Sequence, residues 1–273
     1  MTDPHNPQEK QMADESMVRN LAAQAEAIWP QEVAIVRGYG LPADARIVDV
    51  GCGTGEIVTR LAELLPEARL VGVDMIAAHL DLARRRNARF GPRVSFHLGN
   101  AFALPHDDGV FDFTVCRHML QAVPTPDKVI VELARVTRPG GRLHVIAEDY
   151  GMIYVHPTRL PAEEFWAAAP SAVGPAFGTD LFVGRHLFPM LRAAGIESIE
   201  AHYLPVDTLR VPRETFAAIF EAWRDGFAEV IAEHTAFSPD ETRARFDDMI
   251  ACIRDPNGWA LWLVPLYTGI VVR

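Results

Sequence analysis

The run Val48-Asp49-Val50-Gly51-Cys52-Gly53-Thr54-Gly55-Glu56 constrains this chain more than any other segment. Apolar residues lead into glycines at every second position, Gly51, Gly53 and Gly55. The pattern predicts a buried strand ending in a tight turn, then a helix over about 56–65. Glycines at such a turn let the backbone take positive φ values and come close to a ligand. In open α/β sheets, ligands lie at the carboxyl ends of the strands, where the strand order reverses.

The spacing separates two kinds of ligand. The dinucleotide fingerprint is G-x-G-x-x-G, with a pyrophosphate seated on the following helix N-terminus. Here the third glycine comes one residue sooner and Glu56 follows directly. A carboxylate at that point repels a pyrophosphate but suits an ammonium group, and Asp49 adds a second negative charge. The next strand, Leu70-Val71-Gly72-Val73-Asp74, ends in an acid 19 residues past Gly55. An acid at that tip can hold both hydroxyls of a ribose. The ligand so described has a ribose, no phosphate and a positive end. S-adenosylmethionine fits that description, and NAD does not.

With these residues the chain resembles the class I S-adenosylmethionine-dependent methyltransferases. Val48 to Glu56 looks like the family's first motif, and Val71 to Asp74 like its second-strand acid. Gly99-Asn100-Ala101-Phe102 sits where the family has its adenine-contacting segment. Leu104-Pro105 and Phe111 to Cys116 look like its fourth strand, and Arg138-Pro139-Gly140-Gly141 like the loop opening its fifth. The match runs from about Ala45 to Asp149 in the family's order. The resemblance implies methyl transfer, with S-adenosyl-L-homocysteine as product, and identifies no acceptor. It implies that Gly51, Gly53 and Gly55 admit the methionine part of the cofactor. Asp49 and Glu56 would meet its amino group, Asp74 the ribose, Met75 the adenine face, and Asn100, Ala101 and Phe102 the adenine edge. Arg117, beyond the fourth strand, is placed with this cofactor-binding set.

Alternating strands (near 46–50, 70–74, 94–98, 111–116 and 142–148) and helices (near 56–65, 76–89 and 126–137) predict a doubly wound α/β sheet. The strands are nearly continuous apolar runs, as expected when helices cover both faces. With the later strands, 196–206 and 259–272, the fold class is a seven-stranded, mostly parallel Rossmann-like sheet whose last strand is antiparallel. Pro265 inside that last strand predicts a bulge or an edge position. Residues 1–30 read as an N-terminal tail and a cap helix. The first dozen residues, polar and proline-containing, are expected to be a disordered or appended tail. Met17, Leu21, Ala25 and Ile28 then give a helix over about 14–29, with Pro30 marking its end. The core spans 31–211 and 257–273. Short helices are expected at 162–169 and 184–194.

Residues 212–256 form a helical insertion. Phe216, Ile219, Phe220, Trp223, Phe227 and Val230 make one helical stripe. Ser238-Pro239-Asp240-Glu241 reads as a capping box opening a second helix. The insertion is either a helical pair packed on the sheet, a lid or wall of an acceptor pocket, or a homodimer surface.

A net charge of −10 disfavours a nucleic-acid backbone as partner, since that demands a basic surface. The three cysteines, Cys52, Cys116 and Cys252, have no paired spacing and suggest a reducing, cytoplasmic compartment. No N-terminal apolar run resembles a signal peptide, and no stretch reaches transmembrane length. The ten histidines show no compact metal-binding spacing, so no metal is expected.

The catalytic candidates follow the fourth and fifth strands. His118 can act as a general base near neutral pH, or only hydrogen-bond the cofactor or backbone. Glu148 and Asp149 can hold a cationic substrate or accept a proton, and alternation along the strand lets at most one face the pocket. His156 and Asp180 complete the set, with helix capping as the other use of Asp180. The expected activity is methylation of a small-molecule acceptor at oxygen or nitrogen. The alternatives are C-methylation of a quinone-like acceptor, RNA methylation, and a non-catalytic S-adenosylmethionine-binding protein.

Overall fold

The structure, a computed structural model, describes residues 7–272. Its sheet contains β1 (Arg46–Val50), β2 (Arg69–Asp74), β3 (Val94–Leu98), β4 (Phe111–Arg117), β5 (Thr137–Ile146), β6 (Ile153–His156), β7 (Ile196–Asp207) and β8 (Trp259–Val271). The first five run parallel in the order β3-β2-β1-β4-β5, and β8 lies antiparallel beside β5. This is the doubly wound α/β arrangement with an antiparallel last strand. Helices α3 (Glu56–Leu64), α4 (Ala77–Asn87) and α5 (Pro126–Val136), numbered after two N-terminal helices, connect the parallel strands. Chain order reverses between β1 and β4. Their carboxyl ends, Val50 and Arg117, therefore flank the crevice where such sheets hold ligands.

The sheet has eight strands where the sequence predicts seven, because one strand is interrupted. β5 pairs with β8 up to Ile146↔Leu266, and β6 resumes the pairing from Ile153↔Trp262. Leu261 and Trp262 pair with β7 on their other side, so β6 continues the line of β5. Between them residues 147–152 leave the ladder and carry Glu148 and Tyr150 over the crevice end of the sheet. Pro265 lies in this gap. β8 is thus internal rather than an edge strand, and Pro265 needs no donor there because no strand faces it on that side. The register shift falls in β7 instead, between Glu197 and Glu200, where Ser198 has φ 48°.

The N-terminal region differs from expectation in two ways. Residues 1–6 lie outside the described residues, but Gln8 is buried and Pro7, Gln11 and Met12 are partly so. The short helix α1 (Glu9–Met12) follows Gln8, which is buried and donates to Thr179 Oγ1 at 3.2 Å. Helix α2 (Glu15–Arg37) runs straight through Pro30. Proline costs a helix one backbone bond and a clash with the carbonyl four residues back. Pro30 and Glu26 are both exposed, so water can satisfy that carbonyl, and burial of Glu32 and Val36 anchors the turns beyond.

Helices α6 (Ala162–Phe177), α8 (Arg213–His234) and α9 (Pro239–Arg254) form a layer over β6 and β8, with α7 (Leu187–Ala193) on the other side of the strand pair. α6 exceeds its predicted length despite Pro170 and Pro175, because Phe165, Trp166, Ala169, Pro170 and Val173 bury one continuous face. Ser238 and Glu241 form the capping box of α9. The α8 stripe, Phe216, Phe220 and Trp223, joins Phe165, Phe246 and Trp262 in the largest hydrophobic cluster. Each such aromatic contributes roughly 1.5–3 kcal/mol through apolar burial. Among the described residues no helix is long and apolar enough to cross a membrane.

Candidate active site

The glycine loop closes the crevice at the end of β1. Gly51, Gly53 and Gly55 all have positive φ, at 75°, 50° and 76°. A Cβ on Gly53 would lie 2.7 Å from Leu21 Cδ1 of α2, and one on Gly51 would lie 2.9 Å from Met119 Cγ. Gly55 lines no cavity; a Cβ there would lie 2.9 Å from Asn87 Nδ2, so it serves the packing of α3 on α4. Asp74 fixes the loop from β2. Its Oδ2 accepts from Gly53 N at 2.8 Å and its Oδ1 from Ile76 N at 2.9 Å. Burial pushes the Asp74 carboxyl above its ordinary range, against the pull of those backbone bonds.

A first cavity of about 780 Å³ opens on these groups. Gly51, Gly53, Asp74, Met75, Asn100, Ala101, Phe102 and Arg117, all singled out in the sequence, line it. Asn100 Oδ1 also accepts from Phe102 N at 2.9 Å, which shapes that wall. His79, absent from the sequence reading, lines the same cavity with Nε2 buried and unpartnered. Burial pushes its imidazole pKa down, and Asp74 beside it pulls the other way. Its place on the first turn after the Asp74 strand was the available signal.

A smaller annex of about 340 Å³ reaches beneath the loop, between Asp49, Arg117 and Gln24 of α2. Arg117 is buried and its Nε has no partner. Gln24 Oε1 is likewise buried and unpartnered. Burial pushes the Asp49 carboxyl up to about 7, with Arg117 opposing and Glu32 and Asp74 adding to the rise. The annex thus offers a donor and two acceptors side by side. Glu56 also borders it, but Arg60 and Arg86 already answer its charge at 2.9 and 2.6 Å. Asp49 and Gln24, rather than Glu56, are the acceptors left for an ammonium group.

A second cavity, about 760 Å³, lies under the helical layer. Tyr150, Trp166, Trp223, Phe227 and Phe246 make its apolar walls, and it is also lined by Asn20, Gln24 and Gln121, whose side-chain oxygens are buried and unpartnered. His118 lines the first cavity, the annex and this one. It is held on several sides. Its N–H donates to Ile146 O at 2.9 Å, its carbonyl accepts from Gln121 Nε2 at 2.7 Å, and its Nδ1 lies 2.7 Å from Glu148 Oε1. A φ of 53° is unusual for a non-glycine residue and marks a position the surroundings over-determine. In the neutral tautomer whose Nδ1–H donates to Glu148, Nε2, which is buried and unpartnered, keeps a lone pair.

The other expected catalytic residues are not brought here. Asp149 is fully buried and accepts from Arg185 Nε and Nη2 at 2.5 Å and from Gly151 N at 3.0 Å, which spends it on holding the segment after β5. His156 is exposed on β6 and lines none of the three cavities. Asp180 accepts from Phe182 N at 2.9 Å and pairs with His186 at 2.6 Å; it closes a turn and is not the N-cap of the helix that follows, which is Phe182. Of the two adjacent carboxylates, Glu148 lines the cavity and Asp149 does not; both lie beyond the end of β5, so Arg185 taking Asp149 separates them rather than strand alternation.

Residues 41–168 match the family described as "Methyltransferase domain". A demethylmenaquinone methyltransferase of Thermus thermophilus is 38% identical over 104 residues, covering 38% of this chain and 47% of the relative. A ubiquinone biosynthesis O-methyltransferase of Aromatoleum aromaticum is 35% identical over 111 residues, 40% of this chain and 46% of the relative. The chain thus spans about half the length of these curated relatives. Among solved structures, the geranyl diphosphate C-methyltransferase of Streptomyces coelicolor, in complex with S-adenosyl-L-homocysteine, superposes with a TM-score of 0.55 at 18% identity. That match covers 89% of this chain and 79% of that one, and speaks to the fold. Residues 41–168 thus match a methyltransferase domain, and the chain shares the fold of such enzymes.

Proposed function

We propose that this chain transfers a methyl group from S-adenosylmethionine to a hydroxyl of an apolar, aromatic small molecule, with His118 as the general base. The observation that carries the proposal is the position of His118. It lines both large cavities, the polar, loop-bound cleft and the aromatic chamber, and its Nε2 is buried without a partner.

The first cavity and its annex fit the cofactor on observations independent of any resemblance. The loop would need to fill with Cβ atoms to block approach, and it is built of glycine. Asp74 can accept from ribose hydroxyls beside Met75, Asn100, Ala101 and Phe102. Arg117 Nε offers a buried donor for a carboxylate, and Asp49 and Gln24 offer acceptors for an ammonium group. When bound, S-adenosylmethionine supplies an activated sulfonium methyl. The chain's own residues do the rest. Aromatic walls orient the acceptor and exclude water, and placement of this kind contributes roughly 7–11 kcal/mol to barrier lowering. Glu148 holds the imidazole by Nδ1, and Nε2 takes the hydroxyl proton, a step that contributes roughly 10²–10⁴-fold.

The insertion acts as a wall of the acceptor chamber in this reading. Trp223 and Phe227 of its stripe and Phe246 of its second helix line the chamber, which supports that role over a homodimer surface. The negative charge supports a small-molecule partner over nucleic acid. Three free, buried cysteines support a reducing, cytoplasmic setting. The relatives' printed names favour one second reading. Loss of a phenol proton to His118 would also activate the adjacent ring carbon, so C-methylation of a quinol-like acceptor uses the same residues.

Incubation with isotope-labelled S-adenosylmethionine and panels of naphthols, quinols, amines and tRNA, read by mass spectrometry and NMR, tests the proposal. Label on oxygen of a hydroxyaromatic is the expected result. Label on ring carbon selects the second reading, and label only on amines or RNA overturns both.

A further inference from the structure

Arg117 is held from the far side by a buried relay that no loop motif announces. Glu32 of α2 is almost wholly inaccessible, and its Oε2 lies 3.0 Å from Arg117 Nη2. Its Oε1 lies 2.9 Å from His144 Nε2 of β5, and His144 Nδ1 lies 2.8 Å from the Tyr39 hydroxyl. The proton positions follow from the chemistry. Burial holds the Tyr39 phenol protonated and pushes the His144 imidazole toward its neutral form. Tyr39 O–H therefore donates to Nδ1, and Nε2–H donates to Glu32. Burial alone would raise the Glu32 carboxyl, but Arg117 and the His144 bond outweigh it and keep it ionised.

A carboxylate at this depth is costly to desolvate unless it is paired, so its presence here calls for a use. The geometry supplies one. Glu32 pairs by charge with one terminal nitrogen of the guanidinium, without the alignment of a hydrogen bond, and Nε, also buried and unpartnered, stays with the annex that Asp49 and Gln24 line.

We propose that Glu32, locked by His144 and Tyr39, is a positioning residue that fixes Arg117 to receive the amino-acid end of the cofactor. α2 then does more than cover the cleft. One end of it lines both cavities with Met17 and Leu21, and the other end orients the residue that reads the ligand's carboxylate. The inference rests on the cofactor reading given above.

Calorimetric titration with S-adenosylhomocysteine and with 5′-methylthioadenosine, which shares the nucleoside but lacks the amino-acid end, tests it. Glu32→Ala should weaken S-adenosylhomocysteine about tenfold or more and leave methylthioadenosine within about twofold. Glu32→Gln should recover part of the loss, because a neutral His144 can turn its other tautomer toward the amide. Equal losses for both ligands, or no loss for either, would overturn the positioning role. If Glu32→Ala does not fold, Tyr39→Phe, which removes only the end of the relay, should show the same ligand selectivity at smaller size, and its absence would count against the proposal. Failure of the wild-type chain to bind S-adenosylhomocysteine would instead overturn the cofactor reading.

Discussion

His118 Nδ1 and Glu148 Oε1 are 2.7 Å apart, and the remaining polar atoms of both side chains, Nε2 and Oε2, are buried without partners. A pair arranged only for stability would not leave two such atoms bare, since each costs roughly 1–3 kcal/mol. His118→Ala should therefore lower kcat by about 10²–10⁴-fold and leave S-adenosylhomocysteine affinity nearly unchanged. Glu148→Gln should give a smaller fall in kcat. Steady-state kinetics with calorimetry checks both, and unchanged turnover in His118→Ala would remove the base.

Asp74 ties the loop to β2 through Gly53 and Ile76. Asp74→Ala should weaken S-adenosylhomocysteine by about tenfold or more, because a charged acceptor and a loop contact are lost together. Unchanged affinity would show that the ribose is held elsewhere.

Asp49 gives a pH dependence whose sign is fixed. Its folded pKa, about 7, lies above the unfolded value, so its contribution to stability is complete at low pH and is lost as pH rises toward 7. Asp49→Asn should accordingly melt higher than the unliganded wild type at pH 8, by a few kcal/mol at most. Binding of an ammonium group favours the ionised form. Wild-type affinity for S-adenosylhomocysteine should rise between pH 6 and about 7.5 with proton release, and Asp49→Asn should flatten that rise. Calorimetry in buffers of different ionisation enthalpy reads the proton directly.

Phe227 is half-buried and lines the acceptor chamber from the insertion. Phe227→Ala should raise KM for the acceptor about tenfold with little change in kcat, the mark of uniform binding lost. An unchanged KM would move the chamber's wall elsewhere.

The parallel core and its ligand crevice were legible because each signal was local. Strands β1 to β4 are continuous apolar runs, and the glycines and Asp74 sit where turn geometry demands them. What escaped depends on tertiary contact. Glu32 lies past a proline on a helix, where a charged residue ordinarily reads as solvated, and only folding places it against Arg117 and His144. His79 looks like any helix residue until the cavity forms around it. Asp149 and Glu148 are adjacent acids, and the sequence could say that one would turn away but not that Arg185 would take Asp149. The resumption of the β5 line escaped because β6 is only four residues long and follows a gap, Ala147 to Met152, that carries two acids and a glycine.

The most direct test of the account is a calorimetric comparison of S-adenosylhomocysteine with NAD on the wild-type chain. Binding of S-adenosylhomocysteine at one site per chain, with no heat from NAD, is the predicted result. NAD binding in its place, or heat from neither ligand, would contradict a methyl-donor site at the ends of β1 and β4.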